Sequence, residues 1–151
     1  MREVKFRGRR INDGEWVYGF PHTIDTVDEG YTGRAIQTHF LSGRPISYQI
    51  DKETLSEFTG LKDKNGTEIF EGDIVLVENF VVETIKPFKA VIEWDKTRFA
   101  LNELGSLNIS NYPAITPNGV FGPFNNLSDF GQSFEVIGNI YEHPELLGDS
   151  Q

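Results

Sequence analysis

The stretch TGLKDKNGTEIFEGDIV, residues 59–75, is the most patterned part of this 151-residue chain. It joins three glycines and an Asn-Gly pair to alternating side chains, without an obvious catalytic group. Lys64-Asn65-Gly66 stands between Leu61 and the run Glu68-Ile69-Phe70. Asn and Gly accept positive φ, so the spacing predicts a hairpin closed by a tight primed turn. Gly72-Asp73 then re-aims the chain into IVLVENFVV, whose β-branched density predicts a largely buried strand. FKAVIEW, a turn at Asp95-Lys96 and TRFALNEL extend this into a meander.

Upstream, Val4, Phe6 and Ile11 interleave with Lys5, Arg7 and Arg9, and Asn12-Asp13-Gly14 precedes EWVYGF. A strand, a turn and a second strand are predicted. Residues 21–34 mix turn formers and charges without a sustained period and read as an irregular excursion. AIQTHF and ISYQI, separated by LSGRP, predict another strand pair. Asp51 is placed to cap a single helical turn through Glu57. Downstream, residues 105–133 are rich in Gly, Asn, Ser and Pro but hold Phe121, Phe124 and Phe130, which predicts a long ordered loop pinned by aromatics. FEVIGNIY reads as a last strand, and HPELLG as a short helical turn with Pro144 at its start. The sum is a mainly β protein with little helix: a single domain over 1–151, with short strands and long loops in an open β-barrel-like arrangement or in strongly twisted sheets.

Composition narrows the function classes. The chain has no cysteine, which excludes disulfides, thiolate metal sites and a thiol nucleophile, and the expected compartment is the cytoplasm. MREVKFRGRR lacks the apolar region of a secretory signal, and no apolar run reaches the length of a membrane helix. The sequons at Asn65, Asn108 and Asn126 are then chance matches. A formal charge of −9 opposes nucleic acid as a whole, but it is uneven. Residues 1–50 carry seven Lys or Arg against six Asp or Glu, residues 51–98 seven against eleven, and residues 99–151 none against six. Such polarity either joins subunits or clamps the two ends of one chain, or it reflects solvation alone.

The candidate chemistry is thin. His22, His39 and His143 have no metal-ligand spacing, no phosphate loop is present and no nucleophile elbow occurs. No cofactor is expected. Glu68, Glu71 and Asp73 form a carboxylate group, and strand parity puts Glu71 and Asp73 on one side. A metal-dependent hydrolase would need a histidine brought beside them by folding. The plainer reading has Asp73 accepting backbone N–H bonds and Glu71 at the rim. Lys5, Arg7 and Arg9, with Arg10 next to them, make a basic stripe on one face of the first strand. That face could contact phosphates or a partner, although no aromatic platform is visible in the sequence around it. A charged strand edge is the ordinary alternative.

REVKFR at 2–7, TGLKDKNGTEIFEGDIV at 59–75 and FEVIGNIYEHPELL at 134–147 together resemble the YopX-like family of phage and prophage proteins. The pattern TGLxDxNGxEI, followed by an aromatic residue and EGDIV, is the most specific of the three. The family's opening block is often followed by an Ala-Trp pair, where this chain has Gly8-Arg9. The resemblance implies a predominantly β fold and expression in the cytoplasm of a bacterial host. It implies no activity and no catalytic residues. Gly60, Asn65, Gly66, Gly72 and Asp73 then read as a structural signature, with Ile69, Phe70, Ile74 and Val75 in the core. The expected role is a non-enzymatic accessory protein that binds an unknown protein partner and self-associates. Weak nucleic-acid binding through the basic strand is the first alternative.

Overall fold

The computed structural model describes residues 3–26, 31–78, 87–95, 98–104, 115–116, 119–120 and 134–148. These are mainly strand, with no α-helix among them. The strands are β1 (Phe6–Arg9), β2 (Trp16–Thr26), β3 (Tyr31–Leu41), β4 (Arg44–Ile50), β5 (Ser56–Lys62), β6 (Glu68–Phe70), β7 (Asp73–Val77), β8 (Phe88–Asp95), β9 (Arg98–Leu104), β10 (Ile115–Thr116), β11 (Gly119–Val120) and β12 (Phe134–Asn139). Two 3₁₀ turns, Lys52–Thr54 and Pro144–Leu147, stand where single helical turns were predicted. The chain divides into two compact units, Met1–Phe58 and Thr59–Gln151.

In the first unit the strand order is β4-β3-β2-β1-β5. β2 changes neighbours part-way along. Trp16 to Gly19 pair with β1, and Phe20 to Thr26 pair with β3. Residues 21–26 and 31–34 are therefore strand and not the irregular excursion their composition suggested, and residues 27–30 lie outside the described residues. Pro21 hid this. It sits where β2 has a ladder on one side only, the position at which a residue without an N–H costs a sheet least. Gly19 marks the change of neighbour. A Cβ there would lie 2.0 Å from the Gln37 carbonyl oxygen, so the two backbones approach as closely as they do only because residue 19 has no side chain.

The β3–β4 hairpin closes on Ser42-Gly43, both at positive φ (50° and 76°), which is a primed turn. The end of β4 returns to the end of β1. Arg10 and Ile50 form an isolated bridge, the Ile11 N–H donates to the Gln49 carbonyl, and the Asp51 N–H donates to the Arg9 carbonyl. The sheet is thus coiled and joined at one corner without closing into a barrel. Val17, Ile36 and Ile50 fill its inside, with Tyr48 and Leu55 packed against them.

The second unit holds an antiparallel sheet of order β12-β7-β8-β9. Its core includes Ile69, Phe70, Ile74, Val75, Val77, Ala90, Ile92 and Phe134, each at most 1% exposed. Burying one such Phe contributes roughly 2–3 kcal/mol. The predicted strand beginning at Ile74 ends at Val77, and the remainder of IVLVENFVV beyond Glu78 lies outside the described residues. So does most of the predicted loop 105–133, with Phe121, Phe124 and Phe130. Of that segment only the β10–β11 pair is described.

The hairpin of the opening stretch forms, but not with the predicted turn. Gly66 has φ +82°, while Asn65 is not at positive φ. The Gly66 N–H donates to the Asp63 carbonyl and the Asp63 N–H to the Thr67 carbonyl. This is a turn over Lys64-Asn65 followed by a left-handed glycine. Gly66 needs its freedom for φ alone, because nothing lies within 4 Å of a Cβ built there. Gly66→Val is expected to destabilise the protein by about 1 to 3 kcal/mol, since a β-branched residue is strained at that φ. Chemical denaturation measures it, and an unchanged midpoint would contradict the left-handed assignment.

Candidate functional site

The deepest use of the central stretch is made by a residue to which the sequence assigned no role. Asp63 is 4% exposed. Its Oδ1 accepts the N–H of Asn65 (2.8 Å) and of Thr67 (2.9 Å), and its Oδ2 accepts the N–H of Val136 (2.9 Å). One carboxylate therefore shapes the hairpin and fastens it to β12, 73 residues away in sequence. Beside it the Lys64 N–H donates to the Phe134 carbonyl, and the Lys64 ammonium pairs with Glu135 (2.8 Å) and Glu78 (3.1 Å). Hydrogen bonds to Glu135 and then Glu78 raise the Lys64 pKa above its ordinary value. An Asp just ahead of an Asn-Gly turn is the sequence signal of such a side-chain turn, because its carboxylate reaches backbone N–H groups a few residues on.

Asp73 follows the plainer of its two readings. It is 1% exposed, and its Oδ2 accepts the Phe70 N–H at 2.8 Å. Gly72, at φ +81°, bends the chain before it, and the Gly72 N–H and carbonyl bond to Ile92 and Ile140. Gly60 is also at positive φ (87°), and next to it the Thr59 hydroxyl donates to the Ile69 carbonyl across the hairpin. The signature residues Gly60, Gly66, Gly72 and Asp73 thus serve backbone geometry. Each histidine has its own local partner: His22 Nε2 meets the Ser47 hydroxyl at 2.9 Å, His39 meets Thr38, and His143 Nδ1 accepts the Asn139 N–H. Among the described residues no three His, Asp or Glu side chains are grouped to hold a metal ion.

The N-terminal cations are not the solvated stripe that strand parity alone suggested. Arg7 is only 7% exposed and stacks on Trp16, 4.5 Å from the ring centre. Parity fixes the face a side chain takes, not what covers it. Lys5 lies 5.2 Å from the ring centre of Phe58. Arg10 bonds to Asp13 and Glu15 and lies over Tyr48. Its bond to Asp13, together with the Glu15 N–H, holds that carboxyl below its ordinary pKa. Arg9 directs Nε–H to the Gly14 carbonyl at 3.0 Å, and its own N–H goes to the Thr54 hydroxyl. Aromatics absent from the sequence around these cations are supplied across β1–β2, β1–β5 and from β4.

Two surface features of the first unit result. One is a notch of about 360 Å³ beside the Arg10–Ile50 bridge, lined by Arg9, Arg10, Ile11, Gly14, Asp51 and Lys52. The other is the outer face of β2–β3–β4. Register places Phe20 opposite Gln37, Gln37 opposite Ser47, and Phe40 opposite Pro45. Ile36 and Tyr48 pair on the inner face, which leaves Phe20 on the other. The irregularity between Gln37 and His39 restores Phe40 to that outer face. Tyr18, Phe20 and Phe40 are 45%, 63% and 64% exposed. The His22–Ser47 bond spans the same face over the small Ala35, with which His22 pairs.

Gly8, where the resembling family often has Ala, faces Ile50: a Cβ at residue 8 would lie 2.5 Å from Ile50 Cδ1. The isoleucine fills the space that a methyl group would take. The family description "YopX protein" matches residues 5–148. Among solved structures the chain is similar to the crystal structure of protein EF1440 from Enterococcus faecalis. The identity is 25%, with 97% of this chain and 99% of that chain covered, and the TM-score is 0.52. No curated protein matches.

Proposed function

The chain belongs to the YopX protein family, and we propose that it is a non-enzymatic accessory protein of phage or prophage origin that works in the bacterial cytoplasm by binding protein, including a second copy of itself. The observation that supports this reading is the outer face of β2–β3–β4, where Tyr18, Phe20 and Phe40 expose large apolar surface. Large side chains left in water on one face favour a partner that covers them. Charge favours a second copy meeting this face. Residues 1–58 carry eight Lys or Arg against nine Asp or Glu, whereas residues 59–151 carry six against fourteen. Two copies meeting through first units approach with little repulsion, while the acidic units would repel. The edge of β4 is the poorer route, because Pro45 and the exposed Arg44 guard its start.

Sedimentation velocity at low and high salt tests the association. The parent is expected to dimerise in both, because apolar burial resists screening. Phe20→Ser with Phe40→Ser is expected to be monomeric at the same concentration. A parent that stays monomeric at high concentration in both salts would remove the proposal.

A further inference from the structure

We infer that the notch beside the Arg10–Ile50 bridge binds a small phosphate ester. The site is separate from the association face and does not rest on it. At about 360 Å³ the notch is at the small end of ligand sites. What singles it out is that two cations without an ion-pair partner among the described residues, Arg9 and Lys52, line one concavity. The third cation there, Arg10, is neutralised by Asp13 and Glu15. In the notch, Arg9 spends only its Nε–H, on the Gly14 carbonyl, and its Nη groups have no hydrogen-bond partner among the described residues. The exposed Lys52 ammonium has no ion-pair partner among them either. The Asp51 Oδ1 accepts the Glu53 N–H, and this carboxylate forms no ion pair with Arg9 or Lys52 among the described residues.

The Arg9 fork is also held in place. Its backbone N–H is fixed to Thr54 and its Nε–H to Gly14. A Cβ on Gly14 would lie 2.8 Å from an Arg9 Nη, so the guanidinium occupies the room that the missing side chain leaves. A fixed planar fork and an exposed ammonium lining one notch suit two oxygens of one dianionic group: Arg bidentate, Lys as a point charge. Ile11, 57% exposed at the rim, offers an apolar wall for the ligand's organic part. A nucleic-acid strand fits less well, because it needs a track of accessible cations and Arg7 is buried.

The test is an NMR titration of ¹⁵N-labelled protein at low ionic strength with inorganic phosphate, adenosine monophosphate, acetate and a single-stranded oligonucleotide. Phosphate and the monophosphate are expected to move the Arg9 Nε–H and the Gly14 and Lys52 amides, and to bind at least about tenfold more tightly than acetate. Lys52→Gln, at an exposed position, should weaken monophosphate binding by about tenfold, Arg9→Gln by more, and Arg9→Lys by an intermediate factor, since it keeps charge but loses the fork. Arg34→Gln should change nothing. Equal affinity for acetate, shifts that avoid the notch, undiminished binding in Lys52→Gln, or an oligonucleotide that binds far more tightly with shifts spreading to Lys5 would each overturn the inference.

Discussion

Asp63→Ala is expected to lose about 3 to 5 kcal/mol of stability, because three backbone N–H groups lose a buried charged acceptor at once. For a chain of this length that corresponds to a melting point lower by roughly 10 °C or more. Asp63→Asn separates charge from geometry. Its amide oxygen can still accept from Asn65 and Thr67, but its amide nitrogen then faces the Val136 N–H, donor to donor. The expected loss is about half that of the alanine variant. Urea denaturation of both variants, with an unchanged slope, measures this. A loss below about 1 kcal/mol in Asp63→Ala would mean that water or another group replaces the carboxylate, and that the clamp is not what the central stretch encodes.

The second large effect is expected at Gly19. Gly19→Ala puts a methyl group 2.0 Å from the Gln37 carbonyl oxygen and 3.2 Å from Ile36 Cγ2. A backbone oxygen cannot rotate away as a side-chain tip can, so β2 and β3 must separate where β2 changes partner. A cost of about 3 kcal/mol or more is expected, at the upper end of overpacking. Gly43→Ala is the control. Residue 43 is also at positive φ, but nothing lies within 4 Å of its Cβ, so only conformational strain of about 1 kcal/mol is expected. Equal melting points for the two variants would show that β2 and β3 do not approach as described.

Much of this architecture is readable from local pattern, because the physics is local. The β-branched run at Ile74-Val75 predicts a buried strand and both residues are fully buried. Asp51 accepts the Glu53 N–H as a cap should, and Pro144 opens the last turn. What escaped reading depends on partners distant in sequence. Asp63 received no role because one of its three donors, Val136, lies 73 residues away in sequence. The Asn-Gly pair signalled a hairpin correctly but the turn type wrongly, since the Asp63 carboxylate stabilises a different turn over the same residues. Pro21 concealed a strand because a proline counts against a strand only where both edges are paired. Arg7 took the face that parity gave it, yet its burial against Trp16 is decided by the neighbouring strand. The apolar outer face was hidden for the same reason: Phe20 and Phe40 are twenty residues apart and share a face only through the β2–β3 register and the irregularity between Gln37 and His39.

The central claim is a division of labour in which residues 59–75 build the fold and the outer face of β2–β3–β4 meets a partner. A dilution series of amide NMR spectra tests it most directly, because it reports each residue as copies come apart. Concentration-dependent shifts are predicted at Tyr18, Phe20, Gln37 and Phe40, with Asn65, Thr67 and Val136 unmoved at every concentration. Shifts centred on the Asp63 hairpin, with the outer face silent, would contradict it.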